Sequence, residues 1–207
     1  MPISVKICGL KRVEDAKIVN EFSSIKYVGF VFANTPRKIS PETAFENKKA
    51  LSPDIKTVGV FTDTSPEDIE SISNIAGLDI CQLHSNEDNE YCKILTRPVW
   101  KAIRVKDENS LLLANEFKDA SGFVLDKYKK DAYGGTGESF DWAVARNFSL
   151  NHFTILAGGI NRDNVISALD TLKPNVIDLS SSVETDGFKD YYKIKDFMER
   201  IDNYGIK

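Results

Sequence analysis

Short apolar runs alternate along the chain with longer segments in which apolar residues recur at helical spacing. The apolar runs, most with few charges, lie at 3–7, 27–32, 55–61, 78–83, 99–103, 122–126, 153–157 and 176–179. Runs of this kind predict strands that are buried on both faces. Helical patterns between them include 12–22, 66–76, 162–172 and 191–201. Ser65 and Asn161 are predicted N-caps, with Pro66 at a first helical position, and the last helix follows Asp190.

About eight strand–helix units in alternation leave two architectures, an open doubly wound sheet and a closed barrel. The count of eight, with the last helix at the C-terminus, favours the barrel. No G-x-G-x-x-G follows the first strand, which argues against a dinucleotide-binding fold. No Pro/Gly/Ser-rich linker marks a boundary. We therefore predict the α/β class and a single-domain (β/α)8 TIM barrel over residues 1–207.

Composition and charge narrow the function classes. The chain has 207 residues, 42% of them hydrophobic and 28% charged, which excludes wholesale disorder. A net charge of −4 argues against nucleic-acid or membrane partners. Three irregularly spaced cysteines suit neither a disulfide framework nor a zinc cluster and fit a reducing compartment. With no signal-peptide or membrane-span pattern, we expect a cytoplasmic protein that uses no metal.

Candidate chemistry gathers where the predicted strands end, which is where barrel enzymes place their working residues. Cys8 is either a small buried hydrophobe or a reactive thiol, and Lys6 faces the same side by strand alternation. Cys81 and Cys92 are interpreted as structural, with Cys81 facing the helices. Asp126 is either a loop carboxylate or a general acid or base. A thiol and a carboxylate on opposite rim positions could form an acid–base pair across a substrate.

The loops after strands seven and eight point to a phosphate. Gly158 and Gly159 allow backbone N–H groups to approach an anion, and Ser180, Ser181 and Ser182 add hydroxyl donors. Tight turn chemistry is the alternative.

Two more loops on the predicted rim contain residues for which the sequence allows more than one role. Residues 127–139, which include Gly135, form a loop that suits a lid, an anion contact or a flexible surface segment. Arg37 is either a solvated surface charge or a partner for a substrate carboxylate. It is predicted to lie across the barrel from strands seven and eight.

Taken in order, the motifs of the whole chain resemble those of the phosphoribosylanthranilate isomerase family of tryptophan biosynthesis. Ser85 and Ser182 depart from it, because glycine is usual at both positions. The matching residues are Lys6-Ile7-Cys8-Gly9-Leu10, Gly29-Phe30-Val31-Phe32, Pro36-Arg37, Val58-Gly59-Val60-Phe61, Gln82-Leu83-His84, Gly134-Gly135-Thr136-Gly137, Phe140-Asp141-Trp142, Leu156-Ala157-Gly158-Gly159-Ile160, Asn164-Val165, Asp178-Leu179-Ser180-Ser181, Val183-Glu184 and Gly187-Phe188-Lys189-Asp190.

The resemblance implies an Amadori rearrangement of phosphoribosylanthranilate, a small-molecule substrate, without a cofactor. It implies Asp126 as the general acid that opens the sugar ring and Cys8 as the general base at C2. A base role calls for a thiol whose pKa is lowered. It further implies Arg37, His84 and Asp178 in substrate binding, with Gly135, Gly158, Gly159, Ser180, Ser181 and Ser182 on the phosphate. Either a monomer or a homodimer is compatible.

Three alternatives stay open at this point. The related isomerase of histidine biosynthesis shares the barrel and the phosphate loops but has aspartate where Cys8 stands. A catalytically inactive phosphate-binding homologue would be expected to lack Cys8 or Asp126. Cys8 with His84 also permits a thiol hydrolase, although no oxyanion hole or orienting third group is evident.

Overall fold

A computed structural model describes residues 3–127 and 140–204. Eight parallel strands pair in chain order, and the eighth pairs with the first to close a barrel, which confirms the predicted fold class. The strands are β1 Ser4–Cys8, β2 Ile25–Val31, β3 Lys56–Phe61, β4 Ile80–Leu83, β5 Val99–Val105, β6 Gly122–Lys127, β7 Thr154–Leu156 and β8 Val176–Leu179.

Helices follow the strands on the outside of the barrel. The α-helices are α1 Val13–Val19, α2 Pro41–Lys49, α3 Pro66–Ala76, α4 Asn89–Ile94, α5 Arg146–Asn151, α6 Val165–Leu172 and α7 Tyr191–Asp202. Three 3₁₀ helices span Glu108–Glu116, Trp142–Ala145 and Ser181–Val183, and a short hairpin pairs Glu184–Thr185 with Phe188–Lys189.

The fifth unit departs from strict strand–helix alternation, because a 3₁₀ helix follows β5. Its buried residues Leu111 and Ala114, with Phe117 just beyond it, recur at a spacing of three. That spacing matches the three-residue turn of a 3₁₀ helix, which keeps all three side chains on one face, whereas an α-helix would rotate each by about 60° from the one before.

Of the two predicted N-caps, Ser65 is confirmed, because its Oγ accepts from the backbone N–H of Asp68 at 3.2 Å. The Asp190 carboxylate caps the start of α7. The prediction for Asn161 is wrong, because α6 begins only at Val165. The Asn161 side chain instead accepts backbone N–H groups of the turn just before that helix, so this turn replaces the first helical residues predicted.

The lower part of the barrel is filled by side chains, which leaves the C-terminal ends of the strands as the open end. Tyr27 packs edge-on against Trp100 in this layer, with ring centroids 5.0 Å apart. Cys81 faces outward to Ser73 of α3, and Cys92 lies half-buried in α4, as predicted. The layer's buried members are Val58, Ile80, Trp100, Ala102, Val124, Ile155, Ala157 and Val176.

Candidate active site

A cavity of about 650 Å³ opens at the C-terminal ends of the strands. It brings together the predicted site residues that the structure describes, while Gly135 lies outside the described residues. Those lining it are Cys8, Arg37, His84, Asp126, Gly158, Gly159, Asp178, Ser180, Ser181 and Ser182.

Cys8 reaches the cavity from the end of β1, and a glycine on β2 makes room for it. Cys8 pairs in register with Gly29. A Cβ atom at Gly29 would lie 2.6 Å from the Cys8 Sγ atom. Contacts that close essentially never occur, so any other residue at Gly29 would displace the thiol.

Two buried lysines lie near the Cys8 thiol. Lys6 is fully buried, and its Nζ lies 2.8 Å from Asp178 Oδ2 on the neighbouring strand β8. Burial raises the pKa of Cys8, and the positive charges of Lys6 and Lys189 only partly oppose that effect. Burial and the negative charge of Asp178 together outweigh these two lysines. This arrangement therefore lacks the lowered pKa of Cys8 that a base role calls for.

Asp126, the penultimate residue of β6, lines the same cavity. Its Oδ1 accepts the backbone N–H of Lys127 at 2.8 Å, and its Oδ2 lies 3.3 Å from His84 Nε2. Gly158, with φ +76°, lies against it, and a Cβ atom there would collide with Asp126 Oδ1. His84 thus contacts the carboxylate of Asp126. A thiol hydrolase would instead need His84 as the partner of the Cys8 thiol.

The two predicted phosphate loops lie side by side on the rim. Gly158 and Gly159 both adopt positive φ, at 76° and 72°. Asn164 at the start of α6 ties this loop down by donating to the Gly159 carbonyl oxygen at 2.8 Å. Across from it, Ser182 Oγ is buried and has no hydrogen-bond partner among the described residues.

Arg37 forms a bidentate ion pair with Glu184, at 2.9 and 2.8 Å. The prediction that it lies across the barrel from strands seven and eight is wrong for strand eight. Only β1 separates β2 from β8, so the arginine reaches the segment after β8. Glu184 also accepts from buried Lys189 at 2.7 Å. Burial would raise the pKa of Glu184, but its bonds to Arg37 and the charge of Lys189 lower it to about 2.

Sequence reasoning gave no role to Gln82, Glu184 or Lys189, although all three lie in the motifs it used. A lysine in a Gly-Phe-Lys-Asp segment is indistinguishable from a surface lysine until its partner is known. The hairpin after β8 returns Lys189 beside Glu184 and buries it.

Within residues 3–127 and 140–204, no group of three histidine, cysteine or acidic side chains is placed to hold a metal ion. No helix in those ranges is long and apolar enough to cross a membrane. A thiol and a carboxyl group share a cavity with two loops rich in backbone and hydroxyl donors. Fold and site together define a (β/α)8-barrel enzyme whose cavity holds the groups that acid–base chemistry and the binding of a phosphate-type anion would need.

Comparison with known proteins identifies the family. The model of the family described as "N-(5'phosphoribosyl)anthranilate (PRA) isomerase" matches residues 5–200. The chain belongs to this family.

Individual members of the family match this chain over nearly the whole length of both sequences. The chain is 44% identical to the N-(5'-phosphoribosyl)anthranilate isomerase of Thermoanaerobacter sp., covering 96% of this chain and 98% of the relative. The solved phosphoribosyl anthranilate isomerase of Thermotoga maritima superposes with a TM-score of 0.89 at 35% identity, over 97% and 99% of the two chains. A second solved isomerase, in complex with reduced 1-(o-carboxyphenylamino)-1-deoxyribulose 5-phosphate, has a TM-score of 0.85 at 33% identity, over 97% and 99%.

Proposed function

We propose that Cys8 and Asp126 are the base and the acid of a phosphoribosylanthranilate isomerase. The enzyme converts N-(5'-phosphoribosyl)anthranilate into 1-(2-carboxyphenylamino)-1-deoxyribulose 5-phosphate in tryptophan biosynthesis. One observation supports these roles above others. The thiol and the carboxyl group line the same cavity as the glycine and serine loops, so one bound sugar phosphate could reach all of them.

In the first step Asp126 gives its proton to the oxygen of the furanose ring. The bond between that oxygen and C1 breaks with its electrons going to oxygen, and the nitrogen lone pair forms a C1=N double bond. The ring opens to a protonated Schiff base. The contacts of Asp126 with the Lys127 N–H and with His84 hold the resulting carboxylate in place.

In the second step Cys8 removes the proton from C2. The C–H electrons form a C1=C2 double bond, and the electrons of C1=N return to nitrogen, which gives an enolamine. Loss of the hydroxyl proton at C2 and protonation at C1 then give the ketone. Lys6 and Lys189 supply the positive charge that favours the thiolate while this step occurs.

Binding groups lie around the two reacting positions. The loops at Gly158–Gly159 and Ser180–Ser182, with Gly135, bind the phosphate, mainly through backbone N–H groups. Arg37 binds the anthranilate carboxylate, held in orientation by Glu184. His84 and Asp178 contact the sugar, and Asp178 Oδ1 is a buried oxygen without a partner among the described residues. A cytoplasmic location and a monomeric or homodimeric state remain predictions.

The direct test follows the loss of phosphoribosylanthranilate fluorescence with purified protein. Asp126→Asn and Cys8→Ser should each lose kcat by at least about 10², the usual contribution of a general acid or base, while product affinity stays near normal. Turnover of the corresponding histidine-pathway substrate alone would favour that isomerase. Phosphate binding without turnover of either substrate would indicate an inactive homologue.

A further inference from the structure

Gln82 is a buried polar side chain that the steps above do not use. It lies on β4, is 2% exposed, and its Nε2 is 3.2 Å from Nδ1 of His84. Its Oε1 is buried without a hydrogen-bond partner among the described residues. Buried polar groups are nearly always paired, so a side chain that leaves one atom unpaired calls for a physical explanation.

The His84 ring explains it, because its two nitrogens face different partners. Nε2 lies 3.3 Å from Oδ2 of Asp126, and in the ionised form that Asp126 takes once it has given up its proton, that carboxylate can only accept a hydrogen bond. A neutral imidazole has one N–H, so Nε2 must hold the proton and Nδ1 must present a lone pair. Only the NH₂ group of Gln82 can donate to that lone pair. The reverse amide orientation would set the lone pairs of Oε1 against the lone pair of Nδ1.

We propose that Gln82 is a positioning residue that fixes the tautomer and orientation of His84, which in turn orients the Asp126 carboxyl group. Hydrogen bonding at one ring nitrogen sets which atom the other presents. The unpaired Oε1 is then the consequence of turning the NH₂ group toward the ring. This inference rests on the proposed acid role of Asp126.

We expect Gln82 to act through the ring. Gln82 lines the cavity, but its Oε1 is buried and its Nε2 contacts Nδ1 of His84, whereas the side chains of His84 and Asp126 are 13% and 11% exposed. A substitution at Gln82 should therefore change the acid step more than substrate binding. That separates it from a residue that contacts the substrate directly.

The experiment uses the fact that the chain has only two histidines. In protein labelled with ¹⁵N-histidine, spectra at about pH 8, where an ordinary imidazole is neutral and an ordinary carboxyl group is ionised, report which ring nitrogen holds the proton. Exposed His152 serves as the internal reference. Wild-type His84 should be protonated at Nε2 and bare at Nδ1. Gln82→Met should give a mixture of tautomers, and Gln82→Glu should draw the proton to Nδ1.

Kinetics should follow the spectra. Both variants should lose kcat about tenfold or more, part of the contribution of a general acid, with KM changed less than about twofold. The matched control is Ile80→Val, which alters the same strand two residues earlier, in the packed layer below the cavity. It should leave both the tautomer and kcat as in wild type.

Several results would overturn the proposal. These are a proton on Nδ1 in wild type, an unchanged Nε2–H tautomer in Gln82→Met, or a loss of turnover that appears in KM. If both Gln82 variants fail to fold, the wild-type spectrum alone decides. If wild type does not turn over phosphoribosylanthranilate, the proposed function fails, but the tautomer measurement still tests the inferred role of Gln82.

Discussion

Replacing Glu184 by glutamine should weaken the protein in a pH-dependent way. The side chain keeps its size but loses the charge that holds Arg37, at 2.9 and 2.8 Å, and Lys189, at 2.7 Å. These contacts lower the pKa of Glu184 from 4.5 to about 2. At about 1.4 kcal/mol for each pH unit, that lowering is equivalent to at most about 3.4 kcal/mol of folding free energy. Because the residue is partly exposed, solvent screening reduces the expected loss to about 1–2 kcal/mol.

The sign follows from linkage. A carboxyl group whose folded pKa is depressed adds stability above its unfolded pKa, and that stability disappears as the pH falls toward the folded pKa. The difference between wild type and Glu184→Gln should therefore be full above about pH 5. It should shrink as the pH falls from 4.5 toward 2.

Urea unfolding of both proteins at a series of pH values measures this difference. The control is Glu90→Gln, which breaks the exposed pair with Lys93 and should change stability little at any pH. Glu184→Gln should also raise KM, since Arg37 loses the partner that orients it. A loss of stability that is the same at every pH, or no loss at neutral pH, would refute this reasoning.

Three further changes test other parts of the site and fold. Arg37→Ala should lower kcat/KM about ten- to a hundredfold in the fluorescence assay, as expected for a charge-assisted pair of about 1.5–3 kcal/mol, and an unchanged value would remove it from the site. Gly158→Ala should lower kcat sharply in the same assay, because the new Cβ would displace the Asp126 carboxylate; wild-type turnover would contradict that packing. Lys101→Met should cost about 3–5 kcal/mol in urea unfolding, since it leaves the buried Glu87 carboxylate without its cation, and Lys101→Met combined with Glu87→Leu should recover most of the loss. Additive losses in the double variant would contradict the pairing.

Much of the barrel could be predicted from the sequence because buried parallel strands read as apolar runs. The ends of strands such as β6 and β8 then place Asp126 and Asp178 on one rim without further information. Helix starts were less predictable, as Asn161 shows, because a short polar side chain caps a turn as readily as a helix.

Partnerships between distant charges were not predictable. Arg37 and Glu184 are 147 residues apart and meet only because barrel closure places β8 beside β1. The pKa direction of Cys8 was missed for the same reason. The carboxylate that pairs with Lys6 is 172 residues away, and the extent of burial around the thiol depends on the closed barrel.

The central claim is that Asp126 and Cys8 serve successive proton transfers, and substrate deuterated at C2 tests it most directly. In Cys8→Ser, cleavage of the C–H bond becomes the slow step, so the isotope effect on kcat should be larger than in wild type. In Asp126→Asn, ring opening becomes slow, so the isotope effect should be suppressed. A large effect confined to Asp126→Asn would reverse the two roles, and near-wild-type turnover in either variant would remove that residue from the mechanism.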